Sequence, residues 1–123
     1  MKQEYLDGTE IRPGYCRALR VDNTIFISGT GAVDKDWNIA SPTVEGQARF
    51  IYKKIDACLK YFGGDISNLV RVHVFLTDGR YVEEYNKVHS EVFAHHRPTS
   101  NLLIVSGLPK EGLLVQVEGQ AFI

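Results

Sequence analysis

The side chains of this chain that are able to do chemistry include four histidines and two cysteines, with arginines, acids and amides at strand-like spacings. His95 and His96 are adjacent at a predicted helix end, where cations are favoured, and they project to different sides. His89 and His96 stand seven apart, whereas two histidines sharing a metal on one helix need a spacing of four. No acid or cysteine has matching spacing, so no metal is expected. His73 alternates with valines and reads as a buried, hydrogen-bonded structural histidine. Cys16 and Cys58 fit neither a metal spacing nor a disulfide framework and read as reduced, packed thiols. Nothing in the sequence lowers the Cys16 pKa as a nucleophile would require. Gly29 and Gly31 lack the lysine and the following helix of a phosphate loop.

Two pairs of residues have strand spacing. Tyr15 and Arg17 project from one face of a strand-like run, and Gln116 and Glu118 from one face of another. An amide can orient a water molecule but cannot accept its proton, whereas a carboxylate can do both. Arg97, just before Pro98, either caps helix carbonyls or reaches a ligand.

The elements that must position these groups follow from periodicity. Arg12-Pro13-Gly14 is a turn signal. It opens a strand, Tyr15 to Val21, joined by the Asp22-Asn23 turn to a second strand, Thr24 to Ser28. Gly29-Thr30-Gly31 ends that strand. Ser41-Pro42-Thr43 starts a helix, with a capping hydroxyl and proline in the first turn. Its apolar stripe is Ala48, Ile51, Ile55, Leu59 and Phe62, and Gly63-Gly64 terminates it. Val70, Val72, Val74 and Leu76 alternate with Arg71, His73, Phe75 and Thr77 as a strand. Asp78 caps a second helix with the stripe Val82, Tyr85, Val88 or His89, and Val92. Strands at about Asn101 to Val105 and Leu113 to Phe122 complete the order β-β-α-β-α-β-β. This is an α/β (α+β) two-layer sandwich of one mixed sheet with two helices on one face. The uncovered face carries Phe75, Leu114 and Phe122, which predicts burial against another subunit.

A chain of 123 residues, 44% hydrophobic and 24% charged, reads as a single domain over 1–123 with no need of disulfides or structural metal. Net charge is −1 without a basic stripe or an aromatic-basic groove, which argues against nucleic acid as a partner. The polar segment MKQEYLDGTE is no signal peptide, and no apolar run approaches the roughly 20 residues of a membrane span. A cytoplasmic location is expected.

Several motifs, in this order, resemble the Rid (YjgF-like, endoribonuclease L-PSP-like) family from about Tyr15 to Phe122. They are Gly14-Tyr15-Cys16-Arg17-Ala18, Thr24-Ile25-Phe26-Ile27-Ser28-Gly29, and Val72-His73-Val74-Phe75-Leu76-Thr77-Asp78. Further matches are Glu84-Tyr85-Asn86, Arg97-Pro98-Thr99, Leu108-Pro109-Lys110 and Val117-Glu118-Gly119-Gln120-Ala121. The resemblance implies a chorismate-mutase-like homotrimer with its sheets in a central barrel and small-molecule clefts between subunits. It also implies cofactor-free deamination, the hydrolysis of enamines and imines such as 2-aminoacrylate to 2-oxo acids and ammonia. In such deaminases an arginine clamps the substrate carboxylate and a glutamate handles the water. Tyr15, Ser28, Gly29 and Asn86 match cleft-lining positions.

This sequence departs from that pattern at both catalytic positions. Ser100 stands where the arginine belongs, and a serine cannot grip a carboxylate as a guanidinium does. Gln116 stands at the glutamate position, with Glu118 two residues on and facing the same way; a match shifted by two residues would instead put Glu118 in the catalytic role. Leu102 and Ile104 share the parity of Ser100 and make its surroundings apolar. Arg17 or Arg97 is therefore a candidate replacement clamp. The alternative is that Arg17 is a partly exposed strand arginine paired with an acid and Arg97 a helix cap. Three functions follow: a deaminase (hydrolase) with a shifted substrate, a metabolite-binding or regulatory trimer that has lost hydrolysis, and, least supported, an endoribonuclease or translation inhibitor.

Overall fold

The computed structural model describes residues 1–10 and 12–123. The strands are β1 (Lys2–Tyr5), β2 (Ala18–Val21), β3 (Thr24–Gly31), β4 (Leu69–Leu76), β5 (Thr99–Ile104) and β6 (Val115–Phe122). The α-helices are α1 (Val44–Tyr61) and α2 (Val82–Val92), and short 3-10 turns at Ile66–Asn68 and Gly79–Tyr81 lead into β4 and α2. One mixed sheet is ordered β1-β2-β3-β6-β4-β5. Only β4 and β5 run parallel, and α2 is the crossover that a parallel pair needs. α1 packs on β3 and β6, with α2 beside it, which gives the expected two-layer α+β sandwich.

The core follows the sequence pattern closely. Ala48, Ile51, Ile55 and Leu59 of α1 are fully buried against Ile25, Val72, Val74, Leu76, Val115 and Val117. Burying each Leu, Ile or Val contributes roughly 1.5–3 kcal/mol. Between the helices the Tyr52 and Tyr85 hydroxyls bond each other at 2.6 Å, and Tyr85 continues to His89 Nδ1 at 2.7 Å.

Four sequence expectations are corrected. Lys2–Tyr5 is a strand rather than a lead-in. Its side chains are almost all polar and exposed, so periodicity could not reveal it, and it holds to β2 by backbone pairing along a charged edge. β2 begins at Ala18 rather than Tyr15. Helix α1 is capped by Thr43, whose hydroxyl accepts from Gly46 N at 3.0 Å, so Pro42 lies before the helix rather than in its first turn. Val70 does not share the core with Val72. Leu69 and Arg71 pair with consecutive residues of β6, Ala121 and Gln120, so Val70 is the extra residue of a bulge and is 49% exposed.

Gln47, fully buried, ties the helical layer to the chain entering β6. Its amide donates to Ser41 O (3.0 Å) and Gly112 O (2.9 Å) and accepts from Leu114 N (2.8 Å). Each buried backbone group deprived of its partner costs about 1–3 kcal/mol. Gln47→Ala is therefore expected to lower unfolding free energy by about 3 kcal/mol in urea titrations; a loss below about 1 kcal/mol would show that water satisfies these groups.

Candidate functional site

The site begins with a defect in the sheet. β3 and β6 pair in register from Thr24/Phe122 to Ile27/Gly119, and again from Thr30/Val117. Ser28 and Gly29 together therefore oppose Glu118, as a β-bulge that re-aims this part of β3. The residue types fit the position. The Ser28 hydroxyl donates to Cys16 O at 2.8 Å. A Cβ on Gly29 would lie 2.5 Å from Gln116 Nε2, so only glycine leaves room for that amide across the bulge.

Arg17 holds the bulge from below. Its Nη1 donates to Gly29 O at 2.7 Å and its Nη2 to Thr9 Oγ1 at 3.3 Å, while its Nε lies 3.7 Å from both Asp7 and Glu10. Lys54, reaching out from α1, sits 3.5 Å from Asp7 and donates to Thr9 Oγ1. Two cations and two carboxylates thus form one largely buried, charge-balanced cluster. Burial by itself would raise the Asp7 pKa, but hydrogen bonds from the Thr9 hydroxyl and amide, together with Lys54 and Arg17, lower it to about 2. Burial pushes the Lys54 ammonium down.

Above this cluster a groove of about 340 Å³ opens, lined among others by Arg12, Tyr15, Trp37, Lys54, Gln116 and Glu118. The Tyr15 ring has two guanidiniums over it, that of Arg12 at 4.9 Å and that of the buried Arg17 at 5.7 Å. On the other side of Glu118 a second groove of about 310 Å³ is walled by Phe26, Arg71 and His73. Here Arg71 Nε donates to His73 Nε2 at 2.9 Å, and His73 Nδ1 lies 3.3 Å from Glu118 Oε1. A guanidinium only donates, so His73 Nε2 accepts and Nδ1 carries the proton. In this arrangement the His73 Nδ1–H points at Glu118. His73 lies on the helix-free face and is partly exposed in the single chain.

The family model described as endoribonuclease L-PSP matches residues 9–123. The chain belongs to the YjgF/Rid family. It is 30% identical over 109 residues to a RutC family protein of Pyrococcus abyssi, covering 88% of this chain and 85% of that one. It is similar throughout to Rv2704 of Mycobacterium tuberculosis, a member of the YjgF/YER057c/UK114 family, with TM-score 0.90, 26% identity and 100% of both chains covered. YyfA of Yersinia pestis, from the Rid protein family, gives TM-score 0.91 and 25% identity, again over 100% of both chains.

Within this Rid-family fold the expected site residues fall into two sets. Tyr15, Arg17, Ser28, Gly29, Gln116 and Glu118 surround one groove. Asn86 is exposed on α2, and Arg97 lies beside His89, Phe93 and Pro98 at the far end of that helix. Ser100 and Leu102 lie on the edge strand β5, where they pair with Val72 and Val74 and so take the opposite sheet face from Gln116 and Glu118. One chain therefore does not bring the two sets together. Of the two readings of Arg17, the geometry matches the ion-paired one, except that this arginine is buried (5% exposed) rather than partly exposed.

Sequence reasoning missed Thr9, Arg12, Trp37 and Lys54. Lys54 carried a signal, because it continues the stripe Gln47, Ile51, Cys58 at helical spacing and so had to turn inward. It also saw no aromatic-basic groove, yet Arg12 lies over Tyr15 and Lys110 over Trp37 (5.7 Å), pairs that come together along one groove only in the fold. Burial pushes the Cys58 thiol up to about 12 and also raises that of Cys16, so neither is an activated nucleophile. Among the described residues no group of three or more His, Cys, Asp or Glu side chains is placed to share a metal, and no helix is long and apolar enough to cross a membrane.

Asp7 has a folded-state pKa below its ordinary value near 3.8, so its contribution to stability is complete above about pH 5 and is lost as pH falls towards 2. Asp7→Asn is expected to remove on the order of 2 kcal/mol of the wild-type stability difference between pH 6 and pH 2, measured by denaturant unfolding at each pH. Parallel wild-type and variant profiles would contradict the cluster.

Proposed function

We propose that the chain is a Rid-type hydrolase of enamine or imine metabolites with an altered substrate, working as a homotrimer through clefts between subunits. The observation that carries this reading is Glu118. It is a half-exposed carboxylate on the wall of both grooves, oriented by a histidine that accepts from Arg71. A carboxylate so placed takes a proton from a water molecule attacking the C=N carbon, and a C–O bond forms. That proton passes to nitrogen to give a carbinolamine; the proton of its new hydroxyl then moves to nitrogen as the C–N bond breaks and the C=O bond forms, and a carbonyl compound and ammonia leave. Water is the only co-reactant, so no cofactor is required. Gln116, laid across Gly29, orients the water or the substrate.

The trimer reading rests on the helix-free face and the β5 edge. Phe122 is 51% and Phe26 43% exposed, and Leu103 and Ile104 are about half exposed on β5. Apolar edges of this kind are normally covered. Phe75 and Leu114 are half-buried within the chain itself. A second copy laid across the groove would unite Ser100, Leu102, Asn86 and Arg97 with the groove set and close a small-molecule site. Two free thiols suit a reducing, cytoplasmic setting.

A second reading, a trimer that binds a metabolite without turning it over, is favoured by Gln116, whose amide cannot accept a proton. An endoribonuclease is supported least, because net charge is −1 and the groove has the size of a small metabolite.

Imino acids generated in situ by an amino-acid oxidase provide the test. The protein is expected to accelerate hydrolysis over buffer, with Glu118→Gln reducing kcat/KM by about 100-fold. An absence of acceleration leaves the binding reading; full activity in Glu118→Gln removes Glu118 from the chemistry. Light scattering after gel filtration is expected to give three times the chain mass, and Phe122→Glu a smaller species. A monomeric wild-type protein would overturn the intersubunit cleft.

A further inference from the structure

We infer that Arg12 is the anion-recognition residue of the groove and selects a ligand that bears a carboxylate. This rests on the reading of the groove as the small-molecule site. The other cations near the groove floor are already neutralised: Arg17 faces Asp7 and Glu10 and is bonded to Gly29 O, and Lys54 faces Asp7. Arg12 differs from both. It is exposed, no acid among the described residues comes within 4.0 Å of it, and its guanidinium is seated 4.9 Å above the Tyr15 ring, on the groove wall shared with Gln116 and Glu118.

Stacking on an aromatic ring holds the guanidinium plane without using its N–H groups, which stay free for bidentate bonds to a carboxylate. Trp37, another residue of the groove lining, carries the Lys110 ammonium 5.7 Å from its ring. The Gln116 amide, on the same groove wall, offers a donor and an acceptor to the ligand's polar end. The groove, at about 340 Å³, takes a molecule of a few heavy atoms together with water.

Pyruvate and its neutral isostere pyruvamide, titrated into the full-length protein by calorimetry and by amide NMR shifts of Gly29, Gln116 and Glu118, test this. Pyruvate is expected to bind at least about tenfold more tightly than pyruvamide. Arg12→Ala should abolish that preference while leaving pyruvamide binding within about twofold, and Arg12→Lys should keep part of it. An unchanged unfolding midpoint confirms that the variants are folded. If Arg12→Ala retains the full preference, if Arg97→Ala loses it instead, or if inorganic phosphate binds more tightly than pyruvate, the assignment of Arg12 falls while the groove stands as the site. If neither probe perturbs the groove amides of the wild-type protein, the assignment and the reading beneath it both fall.

Discussion

The buried guanidinium of Arg17, bonded at 2.7 Å to the carbonyl of Gly29, is the interaction on which the rest of the site depends. A bulge leaves backbone groups of β3 out of register with β6, and buried groups of that kind must find partners. Arg17 supplies one, and the charge it brings into the fold is balanced by Asp7 and Glu10 of the N-terminal segment. Lys54 joins from α1 through Asp7 and Thr9. Removing one partner from such a cluster strands the others, at a cost of about 3–5 kcal/mol. The N-terminal segment, the bulge and α1 are therefore mechanically one unit, and the groove floor is its upper surface.

That arrangement divides the charged groups into those spent on structure and those left for a ligand. Below the bulge, cations and carboxylates cancel. Above it, Glu118 is held by His73, which Arg71 fixes in turn, while Arg12 rests over an aromatic ring and meets no acid among the described residues. Membership of the YjgF/Rid family settles the fold. The proposed chemistry rests on these local differences.

Much of the fold was legible in the sequence because its signals are local. The stripe of α1, the alternation of β4 and the Asp22-Asn23 turn each follow from spacing alone. β1 was invisible because a polar edge strand holds by backbone bonds, and Val70 was misplaced because a bulge breaks parity without leaving a compositional mark. The site was half legible. Motif order located Tyr15, Ser28, Gly29 and the Gln116/Glu118 pair, which the fold does gather around one groove. The pairing of Arg17 was not legible, because it depends on Asp7, Thr9 and Glu10 folding back against it. That is a tertiary event with no periodicity of its own.

We propose that this groove is one wall of a site completed by the β5 edge of a second copy. A crystal structure of the protein grown with pyruvate tests it most directly. Density for the acid is expected between Tyr15, Gln116 and Glu118, with Ser100 and Leu102 of another subunit closing the opposite side. A groove open to solvent throughout the assembly, or ligand bound only elsewhere, would contradict it.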